Sequence, residues 1–224
     1  MSQEEEKQIA ANEAVKSIKD GMIVGLGSGS TSAYMIKRLG ELVAAGLQIK
    51  GVPSSEETKK LAIAQGITII SLDEAPTIDI NIDGADEFDP YLQLIKGGGG
   101  ALLREKVLAS NSKKNIVIVD SAKEVKRLGK FRLPIETIPF ATNKILSILA
   151  EKGLDPKIRK KDNEIYRTDE NNCILDLNIL PFTNLAKLQQ DLISIPGVVE
   201  TGLFLDTTTQ VIMGKGNTTV SFTK

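Results

Sequence analysis

Apolar positions recur at helical spacing through residues 4–20, at Ala11, Val15 and Ile18, and Gly21 follows as a stop signal. A short apolar run at 22–26 leads into a glycine turn, after which Met35, Ile36, Leu39 and Leu42 mark a second helix that ends at Gly46. Residues 49–52 read as a strand. Ser54-Ser-Glu-Glu57 then fits a capping box, with Ser54 and Glu57 satisfying each other's free amides at the head of a third helix. That helix should stop near Gly66, and 67–70 makes the next strand. Further strands are expected at 78–82 and 115–119, with a helix over about 101–109 between them. Such alternation of strand and helix predicts a mainly parallel sheet covered on both faces.

The pattern changes near Phe131, where Pro134 and Pro139 punctuate the chain. A helix is expected over about 142–152, then strand-like pieces at 157–160, 164–167 and 174–179, joined by Lys-Asp-Asn and Asp-Glu-Asn-Asn turns. A helix over 184–193 stops at Pro196-Gly197, and 198–205 returns as a strand. Short connections favour antiparallel pairing, so 132–205 reads as a small α+β domain, while 211–213 and 220–222 can rejoin the first sheet. The fold class expected is therefore α/β: a Rossmann-like, mainly parallel sheet domain from 1–131 plus 206–224, and a second, smaller α+β domain at 132–205. No internal repeat or low-complexity linker interrupts it.

Composition narrows the chemistry. With 224 residues, 41% of them hydrophobic and 25% charged, the chain is long enough for a substantial core and too apolar for disorder. Lys plus Arg is 28 and Asp plus Glu is 29, a balance that offers no general field for nucleic acid or an anionic membrane. The single cysteine, Cys173, cannot form an internal disulfide, which suits a reducing compartment. The acidic start, Met1-Ser-Gln-Glu-Glu-Glu, lacks the layout of a signal peptide, and no apolar run approaches the roughly 20 residues that span a bilayer. A cytoplasmic protein is expected. There is no histidine at all, so Ser-His-Asp hydrolysis, His-ligated zinc and imidazole proton shuttles are excluded. Any proton transfer falls to carboxylates or lysines.

Eight of the 19 glycines fall in three places: Gly25, Gly27 and Gly29; Gly84; and Gly97 to Gly100. Glycine weakens helices and strands, so such clustering asks for a backbone reason. Val24-Gly-Leu-Gly-Ser-Gly-Ser-Thr31 joins a strand to a helix, where free amides and small hydroxyls at Ser28, Ser30 and Thr31 can receive a phosphate. It is no dinucleotide fingerprint, since Ser30 stands where the last glycine belongs and the next strand lacks a terminal acid. Gly-Lys-Ser/Thr, the mark of a nucleotide P-loop, is missing too.

Asp83-Gly-Ala-Asp-Glu-Phe-Asp89 follows the strand at 78–82, so Asp83 and Asp86 fall beyond a strand's carboxyl end, where open parallel sheets bind ligands. Glu87 and Asp89 read as a solvated acidic turn. The spacing fits no EF-hand loop, and without histidine a transition-metal site is not expected. Lys96-Gly-Gly-Gly-Gly-Ala-Leu-Leu-Arg-Glu-Lys106 carries four successive glycines, a bare backbone that a ligand can approach closely, with a cation just before it. Glu105 taken alone reads as a surface carboxylate at the positive end of a helix, and Lys106 as a solvated charge. Lys123 follows the strand at 115–119 and can face the same sheet edge, whereas Lys126, Arg127 and Lys130 read as a solvated face.

Together, Gly-Ser-Gly-Ser-Thr31, Asp83-Gly-Ala-Asp-Glu and Lys96-Gly-Gly-Gly before Arg-Glu-Lys106 resemble the type A ribose-5-phosphate isomerase family. The Leu-Gly-Lys-Phe131 to Ile-Pro139 stretch and Ile195-Pro-Gly-Val-Val-Glu-Thr-Gly-Leu-Phe204 resemble it as well. The resemblance runs over nearly the whole chain. It departs from the family's usual pattern at Ser28, where threonine is frequent, and at Gly100, where alanine is common. It implies substrate contacts at Ser28, Gly29, Ser30, Thr31, Asp83, Gly84, Ala85, Asp86, Lys96, Gly97, Gly98, Gly99 and Lys123, with Glu105 as the catalytic base. It also implies a cofactor-free homo-oligomer, a dimer or tetramer, acting on a small sugar phosphate in the pentose phosphate pathway; composition adds the expectation of no metal, nucleic acid or membrane partner.

Elementary chemistry fits that expectation. Exchanging an aldose phosphate for a ketose phosphate moves a proton between adjacent carbons through an enediolate, so no electrons leave and no nicotinamide is needed. One carboxylate can take the proton and return it, working best if its pKa of about 4.3 is raised. Lys96 and backbone amides can stabilise the oxyanion. Asp83 can assist ring opening or hydroxyl proton movement and Asp86 can orient hydroxyls, or the two can exchange roles. The rivals are a sugar-phosphate deaminase or acyl-CoA transferase relative, and a non-catalytic phosphosugar sensor. A deaminase would usually recruit histidine; a sensor would usually bring a DNA-binding segment that is not apparent here.

Overall fold

The computed structural model describes residues 2–224, which pack as two units, one from residues up to Ala85, Arg104–Glu124 and Asp206–Lys224, the other from Asp86–Leu103 and Val125–Leu205. The first unit is a seven-stranded sheet in the order Thr218–Thr223, Gln210–Lys215, Asn115–Asp120, Ile80–Asp83, Ile23–Leu26, Lys50–Pro53, Thr68–Ile69. Every neighbouring pair is parallel except the terminal hairpin, Gln210–Lys215 with Thr218–Thr223. Successive strands run outward from Ile23–Leu26 in one direction, then from Ile80–Asp83 in the other. The order therefore reverses between those two strands, the switch point at which open α/β sheets leave a ligand crevice.

Burial explains why the alternation was readable. All six residues of Asn115–Asp120 are buried, as expected of a strand covered on both faces. Helices Gln3–Ala14 and Ser30–Ala44 contribute Ala10, Ala14, Met35, Ile36 and Leu39 to the core beneath Val24, Ile82 and Ile118. The first helix opens with a capping box between Ser2 and Glu5. The box expected from Ser54 and Glu57 does not form. Ser55 caps the helix Glu56–Ala64 instead, accepting from the Thr58 amide at 3.0 Å. Ser54 is fully buried, its hydroxyl 2.6 Å from that of Ser28, and so is unavailable to the helix end.

The second unit is built on an antiparallel sheet in the order Val198–Thr201, Leu133–Thr137, Cys173–Leu177, Lys157–Ile158. Helices Thr142–Glu151 and Leu185–Ile193 pack Ile145, Leu149, Leu188 and Leu192 against it. A tight turn joins Lys160–Lys161 to Glu164–Ile165 with Asp162 and Asn163 at φ +52° and +67°, the left-handed pair that a two-residue hairpin requires. A three-stranded ribbon, Leu203–Phe204, Leu94–Ile95 and Glu87–Phe88, completes it. That ribbon draws Asp86–Leu103 into the second unit, although strand–helix alternation had grouped those residues with the first. The strand expected over 198–205 breaks at Gly202, where a Cβ would lie 2.3 Å from the Lys96 carbonyl oxygen. Among the described residues no helix is long and apolar enough to cross a membrane.

Candidate functional site

Three adjacent parallel strands of the first unit end in the segments singled out by sequence: Ile23–Leu26 runs into Gly27–Thr31, Ile80–Asp83 into Gly84 and Ala85, and Asn115–Asp120 into the turn Ser121–Lys123. Gly27 is required by close approach, because a Cβ there would lie 2.1 Å from Asp83 Oδ1. That same oxygen accepts from the amides of Ser28 at 3.0 Å and Gly84 at 2.7 Å and from the Ser32 hydroxyl at 3.3 Å. Asp83 is thus buried and welded to the loop. The Ser28 hydroxyl turns toward Ser54 and Thr58, at 2.6 and 3.2 Å. Gly29, at φ +86°, precedes the helix Ser30–Ala44, so the unbonded first-turn amides point out beside the exposed Gly29 and Ser30 and the half-buried Thr31.

Two cations belong to this end of the sheet. Lys123 sits on the turn Ser121–Lys123, half-buried. Asp120 caps that turn through the Ala122 amide at 3.0 Å, and Glu6 accepts from the Ser121 amide and hydroxyl at 2.9 and 2.7 Å. Hydrogen bonds from Gly216 and Ser121 hold the Glu6 carboxyl below the usual carboxylate range. The second cation, Lys7, was missed from sequence. Its ammonium donates to Ser30 Oγ at 3.1 Å and to Glu4 at 2.7 Å. Nothing local to Lys7 signals this; packing of the first two helices brings it there.

Glu105 lies in the first turn of the helix Leu102–Ser110 and is only 5% exposed. The expectation of a surface carboxylate, taken from its position alone, is therefore corrected. Arg104 beside it pairs with Glu56 at 3.1 Å, and Lys106 is half-buried rather than solvated.

In the second unit, Lys96 is buried, with its ammonium 5.6 Å from the centre of the Phe204 ring and its amide bonded to the Gly202 carbonyl at 2.9 Å. Asp86, half-buried, accepts from the Gly98 amide at 2.7 Å. A Cβ at Gly98 would lie 2.4 Å from that carboxylate and one at Gly100 2.3 Å from the Tyr166 hydroxyl oxygen, whereas at Gly99 it would meet nothing within 4 Å. Packing thus demands three glycines of this run, counting Gly97 at φ +96° against Leu102, and leaves the space over Gly99 open. The carbonyls face Arg159, which bonds those of Gly97 and Gly98, and Tyr166, which bonds that of Gly99 at 3.2 Å. Both were missed, because 157–160 and 164–167 read only as strand-like pieces joined by a Lys-Asp-Asn turn.

Glu87 and Asp89 are corrected as well. They are buried structural acceptors, not a solvated turn: Glu87 binds the amides of Gly129 and Phe131, and Asp89 those of Tyr91 and Gln93 at 2.9 Å. Lys126, Arg127 and Lys130 are exposed, as expected. Among the described residues no group of three or more Cys, Asp or Glu side chains is placed to hold a metal ion.

Comparison with known proteins identifies the family. The family model of ribose 5-phosphate isomerase A (phosphoriboisomerase A) matches residues 50–218. Ribose-5-phosphate isomerase A of Listeria monocytogenes serovar 1/2a is 48% identical over 220 residues, 98% of each chain. Among solved structures, ribose 5-phosphate isomerase A of Methanocaldococcus jannaschii superposes with a TM-score of 0.94 at 39% identity over the full length of both chains. A D-ribose-5-phosphate isomerase in complex with phospho-erythronic acid does so with a TM-score of 0.96 at 41% identity, again covering 100% of both.

Proposed function

The chain belongs to the ribose 5-phosphate isomerase A family, and from that premise we propose that it interconverts D-ribose 5-phosphate and D-ribulose 5-phosphate with Glu105 as the proton carrier. The observation that supports this assignment best is the burial of Glu105, a carboxylate at 5% exposure on the helix that begins two residues after Gly100. In the open-chain aldose, Glu105 takes the proton from C2, and electrons from that bond move toward the C1 carbonyl to give an enediolate. The same carboxyl then delivers its proton to C1, while the O2 hydroxyl proton passes to O1. One proton has changed carbon and one has changed oxygen, so no redox cofactor enters the balance.

The negative charge that develops on oxygen needs preorganised donors. Lys96 and the Gly99 amide supply them, the Gly98 amide being committed to Asp86, and the open space over Gly99 suits a ligand's close approach. The Gly29–Thr31 amides, with Lys7 and Lys123, receive the phosphate. Asp83 serves by fixing the loop and the peptide of Gly84, and Asp86 orients hydroxyls. The phospho-erythronic acid held by a 41% identical relative supports a phosphorylated sugar as the ligand class, because its planar carboxylate resembles an enediolate. We further propose a cytoplasmic homo-oligomer, a dimer or tetramer, working without a cofactor in the pentose phosphate pathway. No observation favours the deaminase, transferase or sensor readings.

Incubation with ribose 5-phosphate, following ribulose 5-phosphate, tests this directly. The wild type converts it; Glu105→Gln retains binding and loses about 10²–10⁴-fold in turnover. A variant within a few-fold of wild type removes Glu105 from the role of base, and binding without conversion by the wild type points to a sensor.

A further inference from the structure

We propose that Arg159 is a positioning residue for the isomerisation, orienting and polarising the amides of Gly98 and Gly99 from behind, with Asp176 holding it in place. This rests on the reading of Lys96–Gly99 as the segment that stabilises the enediolate. Arg159 Nη1 donates to the carbonyls of Gly97 and Gly98 at 2.7 and 3.0 Å. In a trans peptide the carbonyl and the following N–H point in opposite directions. Drawing both carbonyls onto one guanidinium nitrogen therefore turns the amides of Gly98 and Gly99 away from it. The Gly98 amide reaches Asp86 on that far side at 2.7 Å.

Glycine is conformationally permissive, and a run of four has little intrinsic reason to hold one set of peptide orientations. The hairpin region supplies that reason. Tyr166 adds a third anchor through the Gly99 carbonyl, and its own amide bonds the Arg159 carbonyl at 3.0 Å, so both side chains project from paired backbone. Arg159 is in turn gripped by Asp176, Nε to Oδ2 at 3.0 Å and Nη2 to Oδ1, with the two side chains only 15% and 19% exposed. Such a planar fork fixes direction in a way that a lysine point charge does not. A cation at the carbonyl end of a peptide also strengthens its N–H as a donor: for Gly98 toward Asp86, which locks the run, and for Gly99 toward the developing oxyanion.

A cavity of about 450 Å³ opens beside the pair, lined by Gly98, Arg132, Lys157, Arg159 and Asp176 among others, large enough for a free guanidinium ion to enter. This makes chemical rescue the decisive experiment. Arg159→Ala, Arg159→Lys and Asp176→Asn are compared with wild type in steady-state kinetics on ribose 5-phosphate, with and without guanidinium chloride well below denaturing concentrations. Thermal unfolding serves as the fold control. Arg159→Ala is expected to lose about 10–100-fold in kcat with KM within about threefold, less than the full loss of an oxyanion donor because the amides themselves remain. Added guanidinium restores a measurable part of that kcat and does nothing for Glu105→Gln; Arg159→Lys stays impaired. Asp176→Asn, which keeps the cation but loosens it, loses less. A kcat for both Arg159→Ala and Asp176→Asn within twofold of wild type, or a loss in folded Arg159→Ala that guanidinium leaves unchanged, overturns the proposal while the isomerase reading stands. Failure of the wild type to convert ribose 5-phosphate overturns the reading itself, and this proposal with it.

Discussion

Asp83 Oδ1 accepts the backbone amide of Ser28 at 3.0 Å, so the carboxylate that ends one strand fixes the loop that leaves its neighbour. The same oxygen takes the Gly84 amide at 2.7 Å. A side chain committed in this way stabilises the loop Gly27–Thr31 more directly than it moves protons. Asp83→Asn keeps an acceptor oxygen and Asp83→Ala removes it. KM for ribose 5-phosphate should therefore rise at least about tenfold more in the alanine variant, the span of one charged hydrogen bond. Equal KM values, measured side by side, would assign Asp83 to chemistry instead.

Lys7 sits with its ammonium 3.1 Å from Ser30 Oγ, and its partner Glu4 is held below the usual carboxylate range chiefly by that lysine. If Lys7 receives phosphate, Lys7→Met should raise KM by about tenfold, the cost of one charge-assisted bond, and leave kcat within about threefold. Inorganic phosphate should inhibit the variant correspondingly less. Loss confined to kcat would place Lys7 elsewhere in the reaction.

The parallel sheet was legible because its strands alternate with helices at regular spacing and carry short apolar runs; the stretch from Ile116 to Val119 is the plainest case. Lys96 and the glycine run drew attention because four consecutive glycines weaken regular structure, and Asp83 because it ends a parallel strand, although packing accounts for three of the four glycines. The strands Glu87–Phe88 and Leu94–Ile95 were not, since two residues carry no period, and Leu133–Thr137 was masked by Pro134 in its interior. Arg159 and Lys7 escaped for another reason. Their partners are 62 and 23 residues away, and only tertiary packing creates those contacts.

Gly99 is the one glycine of the run whose missing side chain serves no neighbour, and its φ lies outside the left-handed region. Gly99→Ala should leave stability within about 0.5 kcal/mol of wild type, as surface changes do. If substrate passes over that backbone, the same methyl group should raise KM by about tenfold or more, in the range of one sterically misplaced methylene. Thermal unfolding and kinetics on the one variant separate the two effects. Unchanged KM would mean that the ligand lies elsewhere.

Glu6 joins the first helix to the turn that carries Lys123, accepting from Ser121 at 2.7 and 2.9 Å and from the Gly216 amide at 2.9 Å. Those bonds hold its folded pKa below the ordinary value, the Gly216 amide contributing most. A depressed carboxylate pKa favours the folded state above the unfolded pKa of about 4.3, and that contribution disappears as pH falls through the folded value. Glu6→Gln should therefore cost about 1–3 kcal/mol at pH 7, the worth of hydrogen bonds to a buried charge. The gap from wild type should narrow as pH falls below the unfolded value and through the lowered folded one, where wild-type Glu6 loses its charge too. Urea unfolding of both proteins across that range measures it. A gap independent of pH would show that the carboxylate's charge is not what secures the turn, and KM should then be insensitive to Glu6→Gln as well.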